Sequence, residues 1–406
     1  STSGWSGVGG QTNNPYALDR NPSGSSSGSG AAVSASFIAG SLGTETDGSI
    51  VSPANNCGVV GIKPTVGLTS RAGVVPISHN QDTVGPHGRT VGDAAVVLGA
   101  LVGVDPRDPF TAASAGKFYT DYTQFLDPNA LKGARIGVLR KYVTGYSYYT
   151  DDIFNAAIAA IQSAGATIVD PADPPSADQI NSSSPELTVL LYDFKNDVNA
   201  YLATRSGLSV HTLADLIDFN NSHAPEEMPY FKQEIFELAQ ATTDLTDPVY
   251  LQALALNHSL SREQGIDYVL NQYNLDALIA PTGSPAWTTD LVNSDHFLGA
   301  SSFYAAMAGY PIVNVPAGNA FGLPVGLSFI GTAWSEPTLI KLAYAFEQLT
   351  KARIVPTLVD NLPPEKSSSS SATAARTTQT TPANSNGIAG AAVAAGTGTQ
   401  YRPHSM

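Results

Sequence analysis

Apolar residues recur along this chain with two different spacings. Spacings of three and four predict helices. Residues 91–102 form one, with Thr90 as N-cap and Gly103 as its stop. Residues 151–164 form another, capped by Thr150, with acids in the first turn and Gly165 after the last. Ile153, Ala157, Ile161 and Ala164 share one face of it. A last amphipathic helix is predicted over 337–352, and 186–271 reads as mostly helical, broken near Pro225, Pro229 and Pro248. Short apolar runs between turn residues predict strands over 59–62, 135–139, 166–169, 276–281, 311–316 and 325–330. Strand–helix–strand order implies an α/β fold with a largely parallel or mixed sheet covered by helices.

Three stretches break the pattern. Residues 1–22 are rich in Gly, Asn and Pro and read as an irregular lead-in. Residues 363–406 are rich in Ser, Thr, Ala and Gly and read as a disordered tail. The third stretch, 24–49, carries the chemistry. Gly24-Ser25-Ser26-Ser27-Gly28-Ser29-Gly30 opens it, and Gly43-Thr44-Glu45-Thr46-Asp47-Gly48-Ser49 closes it. The small-residue run 31–40 between them reads as a helix with the first serine loop at its N-terminus. Such loops let backbone N–H groups approach a ligand, and their hydroxyls can attack or relay a proton.

The residues alone leave three readings of the first loop. A flexible Gly/Ser linker fits 23–30 in isolation but not the ordered run that follows. Gly24-Ser25-Ser26-Ser27-Gly28 satisfies G-x-S-x-G with Ser26 central, yet the polar, proline-interrupted residues before it are no strand. A phosphate cradle lacks the G-K-[ST] continuation and any basic partner.

Composition narrows the function. The chain has 406 residues, 42% apolar and 13% charged, enough for a large core. Its net charge of −14 and lack of basic clusters argue against a nucleic-acid partner. No apolar run is long enough to span a membrane, and no signal peptide opens the chain. The chain does not begin with methionine and reads as a fragment. Sequons at Asn181, Asn220 and Asn257 tilt slightly toward secretion and leave the compartment open. Cys57, the single cysteine, reads as a small buried hydrophobe. The histidines, His79, His87 and His223 among them, show no metal-ligand spacing, so neither metal nor cofactor is expected. Asp82 reads either as a turn residue or as a hydrogen-bonding group near the site. Tyr192, Asp193, Phe194 and Tyr230 are candidates to line a cleft, or to form a helix face.

In register over some sixty residues, several motifs resemble the amidase signature family. The family pattern is P-G-G-S-S-G-G-S, then G-T-D-T-G-G-S-I, C-G-V-V-G-L-K-P-T, D-T-V-G-P and A-R-T-V. Here it meets residues 22–29 and 43–50, then Cys57-Gly58-Val59-Val60-Gly61-Ile62-Lys63-Pro64-Thr65, Asp82-Thr83-Val84-Gly85-Pro86 and Gly88-Arg89-Thr90-Val91. Ala280-Pro281-Thr282 and 322–327 continue the likeness. Residues 5–16, Glu45, Asp47 and 334–338 look most like the peptide amidase branch, which removes C-terminal carboxamides from peptides.

The resemblance implies a mixed twisted sheet sandwiched between helices, with residues 1–362 as an amidase-type domain. It implies Ser49 as nucleophile, Ser25 as relay serine after a cis peptide, and Ser26 as a supporting residue. The N–H groups of Thr46, Asp47, Gly48 and Ser49 would form an oxyanion hole. Asp47 stands where the family has glycine, so its Cβ demands a permitted φ and its charge a neutralising partner. The family's base is a lysine tens of residues before the paired serines. Only 24 residues precede Ser25 and none is lysine, and Lys63 matches a different family lysine. The expectation is therefore an amidase domain missing its N-terminal segment, acting on peptide carboxamides or small amides and poorly active by itself. An inactive binding protein of the same fold and a fatty-acid amide hydrolase are the alternatives.

Overall fold

In the computed structural model, residues 3–183 and 185–362 are described, and all of them fall in one unit. The tail expected over 363–406 lies outside the described residues. The lead-in is not wholly irregular: β1 (Trp5–Ser6) and β2 (Gly10–Gln11) pair as a short antiparallel ribbon. Then come α1 (Ser27–Ser34), β3 (Gly40–Glu45), α2 (Val51–Asn56), β4 (Val60–Lys63), β5 (Thr83–Gly88) and α3 (Val91–Leu101). The middle of the chain holds β6 (Arg135–Val138), α4 (Tyr148–Ser163) and β7 (Thr167–Val169). A helical insert follows: α5 (Ala177–Ser183), α6 (Pro185–Ala203), α7 (Leu213–Ser222), α8 (Ala224–Glu227), α9 (Glu234–Gln240), α10 (Pro248–Ser261) and α11 (Asp267–Tyr273). The chain returns through β8 (Ala277–Pro281), α12 (Phe303–Ala308), β9 (Ile312–Ala320), β10 (Leu323–Ile330) and α13 (Glu336–Thr350).

Eight strands form one mixed sheet in the order β3-β5-β4-β9-β10-β8-β6-β7. Only β6 pairs in parallel, with β7 and with β8; the other ladders are antiparallel. Helices flank the sheet because its central strands are apolar on both faces. Alternate residues point to opposite sides of a strand. Ile279, Val313, Val315, Leu327 and Phe329 therefore join α3, α4 and α13 in one core. Leu278, Ala280, Ile312 and Ile330 join α2, α10, α11 and α12 in the other. The second face also buries a polar contact, in which Thr282 bonds to Asn314 (2.7 Å) and Ser328 (2.7 Å).

Three sequence expectations are corrected. The small-residue helix spans Ser27–Ser34, not 31–40. Ser36 takes a left-handed φ of 63°, and its N–H and that of Phe37 close back on Val33 and Ala32, a Schellman stop. The chain then runs on as β3, a Gly-rich strand that exists through its ladder with β5. Helix α4 begins earlier than expected. Its cap is Ser147, which accepts from the Thr150 N–H (3.4 Å), and its buried face is Phe154, Ala157, Ile158 and Ile161. Of the sequons, Asn257 is fully buried on α10.

Candidate active site

The two serine loops meet at the edge of the sheet, between α1, β3 and α2. The Gly24–Ser25 peptide is cis, the geometry the resemblance implies. Ser25 is exposed. The next residue clasps the second loop at two levels. Ser26 N–H donates to the Ser49 carbonyl (3.1 Å). The Ser26 hydroxyl donates to the Thr44 carbonyl and accepts from the Thr44 N–H, both at 3.0 Å. Close packing allows no larger residue at Gly43. An added Cβ would lie 2.8 Å from both Ser26 Oγ and His87 Cε1.

β3 ends its ladder at the Glu45–Thr83 pair, so residues 46–49 turn off the sheet into α2. Glu45 steers that turn: its carboxylate accepts from Ile50 N–H (2.8 Å) and Val51 N–H (3.0 Å) at the start of α2. This satisfies donors that a helix start leaves open. Gly48 supplies the left-handed φ of 81°, and a Cβ there would strike Ser52 Oγ at 2.9 Å and Ser302 Oγ at 3.0 Å. Asp47 keeps a negative φ, so its side chain is tolerated. Burial pushes the Asp47 carboxyl up to about 6, with the Ser302 hydroxyl bonded to it and opposing that rise. Ser49 is buried at the mouth of α2.

Thr46 is gripped from the side. Its hydroxyl donates to Asp82 (2.6 Å), and its carbonyl accepts from Gln81 Nε2 (3.3 Å). Asp82 thus takes both roles foreseen for it, since its other oxygen accepts from Ile77 N–H (2.8 Å) and Ser78 N–H (2.9 Å). Gln81 also donates to Glu186 on α6 (2.8 Å). Burial drives the Glu186 carboxyl well above the ordinary carboxylate range, and the Asp47 charge adds to that. Gln81, Glu186 and Ser302 carried no local signal in the sequence, because their roles depend on elements brought together from residues 81, 186 and 302.

Lys63 is fully buried on β4 and donates to the carbonyls of Tyr310 (2.6 Å) and Pro64 (3.3 Å). Burial lowers its ammonium to about 8, opposed by Glu45, Glu336 and Asp47. Cys57 is buried, and burial pushes its thiol far up. The cleft candidates go elsewhere. Asp193 is buried beneath the 77–82 segment, Phe194 packs within the insert, Tyr192 bonds Asp247 (3.0 Å), and Tyr230 stacks edge-on against Trp5. Among the described residues no group of three or more His, Cys, Asp or Glu is placed to hold a metal ion. No helix among them is long and apolar enough to cross a membrane.

The fold and these loops have close counterparts. A protein of Arabidopsis thaliana named as a probable amidase is 42% identical over 362 residues, 88% of this chain. The chain spans 65% of that relative's length. The solved peptide amidase of Stenotrophomonas maltophilia matches with a TM-score of 0.82 and 46% identity, over 88% of this chain and 72% of that one. A peptide amidase bound to the competitive inhibitor chymostatin matches with a TM-score of 0.84 and 47% identity, over the same shares. The family model described as Amidase matches residues 1–340, and the chain belongs to that family.

Proposed function

We propose that this protein hydrolyses C-terminal carboxamides of peptides, or small amides, through a serine acyl-enzyme. The observation that carries the reading is the clasp between Ser26 and Ser49, which holds the cis Ser25 loop against the Ser49 loop. Ser49 Oγ attacks the amide carbonyl, and its proton passes to Ser25. The N–H groups of Thr46, Asp47, Gly48 and Ser49 receive the oxyanion. Each such donor is worth roughly 3–4 kcal/mol of barrier. The C–N bond then breaks, the leaving nitrogen takes a proton and departs as ammonia, and water hydrolyses the ester to regenerate Ser49.

The base is proposed to be a lysine other than Lys63, which is buried and directs two of its three protons to carbonyls. The 406 residues by themselves are accordingly expected to turn over slowly. Ammonia release from a peptide carboxamide tests both statements. Activity lost in Ser49→Ala supports the serine mechanism, and full activity of these residues alone would refute the need for a further lysine. An inactive protein of the same fold is the second reading, favoured by the commitment of Lys63. It wins if a chain carrying a lysine segment ahead of Ser1 binds peptide amides and releases no ammonia.

A further inference from the structure

The turn from β3 into α2 lacks ladder partners of its own, so something else must fix its peptide planes. The neighbouring strand supplies it. Thr83 is the last partner of Glu45 in the ladder, and one residue further along each strand the pairing passes to side chains. Asp82 takes the Thr46 hydroxyl at 2.6 Å and Gln81 takes the Thr46 carbonyl at 3.3 Å. Consecutive residues thus hold both polar ends of Thr46, and both are buried.

A turn that held Thr46 loosely would fix nothing, but this one is braced. Asp82 closes it internally through Ile77 N–H and Ser78 N–H. From the insert, the buried Asp193 on α6 accepts from Asn80 (2.9 Å) and from Tyr250 on α10 (2.8 Å), and also from Ser78. Asp197 accepts from His79 N–H (2.7 Å), Glu186 accepts from Gln81, and Asn257 on α10 donates to Gln81 (3.3 Å). Arg71 donates to the His79 carbonyl at 2.7 Å from the opposite side.

We infer that the segment from Ile77 to Asp82 is a clamp that aims the oxyanion donors, with Asp82 acting as a positioning residue through Thr46. It deepens the amide-hydrolase reading and rests on it. Rotation about the Thr46–Asp47 peptide would swing the donors away from the developing charge, and small misplacements of that kind weaken transition-state binding more than ground-state binding. The insert is then part of the frame that holds the 46–49 turn.

The test uses the full-length protein with Thr46→Val, which removes the hydroxyl at nearly constant shape, Thr46→Ser, which keeps it, and Asp82→Asn. Thr46→Val is expected to lower kcat about 10- to 100-fold on a peptide carboxamide, with KM within about twofold. Thr46→Ser is expected to regain most of that loss, and the Thr46→Val/Asp82→Asn double variant to fall little below the worse single one. Amide hydrogen exchange over 46–49 gives a readout without turnover. It is expected to speed up about tenfold in Thr46→Val but not in Thr46→Ser, with β9 unchanged. Unchanged exchange in Thr46→Val overturns the clamp, as does a loss carried in KM. Wild-type protein that releases no ammonia refutes the hydrolase reading, while the exchange arm still decides the clamp. Asp82→Asn risks misfolding through Ile77 and Ser78, so the Thr46 pair carries the decision.

Discussion

Single residues in this site are judged by what fills the space around them. Gly43 has no room for a methyl group, because His87 and Ser26 lie 2.8 Å from where it would go. Gly43→Ala is expected to cost about 1–3 kcal/mol in denaturant unfolding and to loosen the Ser26–Thr44 bonds. His87 is buried and donates through Nε2 to the Ile50 carbonyl (2.9 Å), with no partner at Nδ1, so burial lowers its pKa to about 4 from 6.5. The unfolded chain binds that proton more readily, so the contribution is complete above pH 6.5 and is lost as pH falls toward 4. Burial raises the Asp82 carboxyl to about 6, which acts in the opposite sense, favouring the fold as pH falls from 6 toward 4. A His87→Gln variant isolates the first effect: its melting temperature is expected to drop less between pH 7 and pH 4.5 than that of the wild type. An equal drop in both proteins would show that His87 is not the acid-labile group. At this scale motif positions made backbone geometry legible, in the cis peptide before Ser25 and the left-handed turn at Gly48. The sequence was silent on Ser302 and Glu186, which are distant along the chain and lie in no pattern.

Elements followed the sequence where local signals agreed with burial. Thr90 caps α3 as its position foretold, and the structure adds a reciprocal box with Asp93, with Asp93 N–H to Thr90 Oγ1 at 3.0 Å and Thr90 N–H to Asp93 at 3.1 Å. Thr90→Ala is expected to lower unfolding free energy by about 1 kcal/mol while leaving ammonia release unchanged, because α3 packs on the face of the sheet away from α2. Elements were misjudged where neighbours decided. β3 holds two glycines and a half-exposed leucine, a poor strand by propensity, and only the partner β5 makes it one. The early stop of α1 came from a serine in a left-handed conformation, a position where glycine is the usual signal. The cap lies at Ser147 rather than Thr150, which is itself buried, and Phe154 and Ile158 join Ala157 and Ile161 on the buried face.

For the molecule as a whole, an α/β arrangement with a mixed sheet was readable from the order of runs, but the strand order was not. Register depends on which distant strands share a core, and β4 lies beside β9 through Gly61–Asn314 and Ile62–Val313 pairs. The paired, doubly covered β9 and β10 are expected to exchange their amides most slowly, through global unfolding only, and the edge strand β3 faster. Equal protection of Leu42 and Val315 would contradict that gradient.

The same strand order has a consequence in time. The loop carrying Ser49, α2 and β4 leave the ribosome before the strand that seats them, β9, which comes about 250 residues later. At roughly 5–20 residues per second that is a delay on the order of tens of seconds. Throughout it the serine loops travel as nascent chain without their seat, so this part of the fold is completed only after β9 has emerged. Slowing translation between β8 and β9 is expected to lengthen the exposure of the nascent serine loops to added protease, and with it the dependence of soluble yield on chaperones.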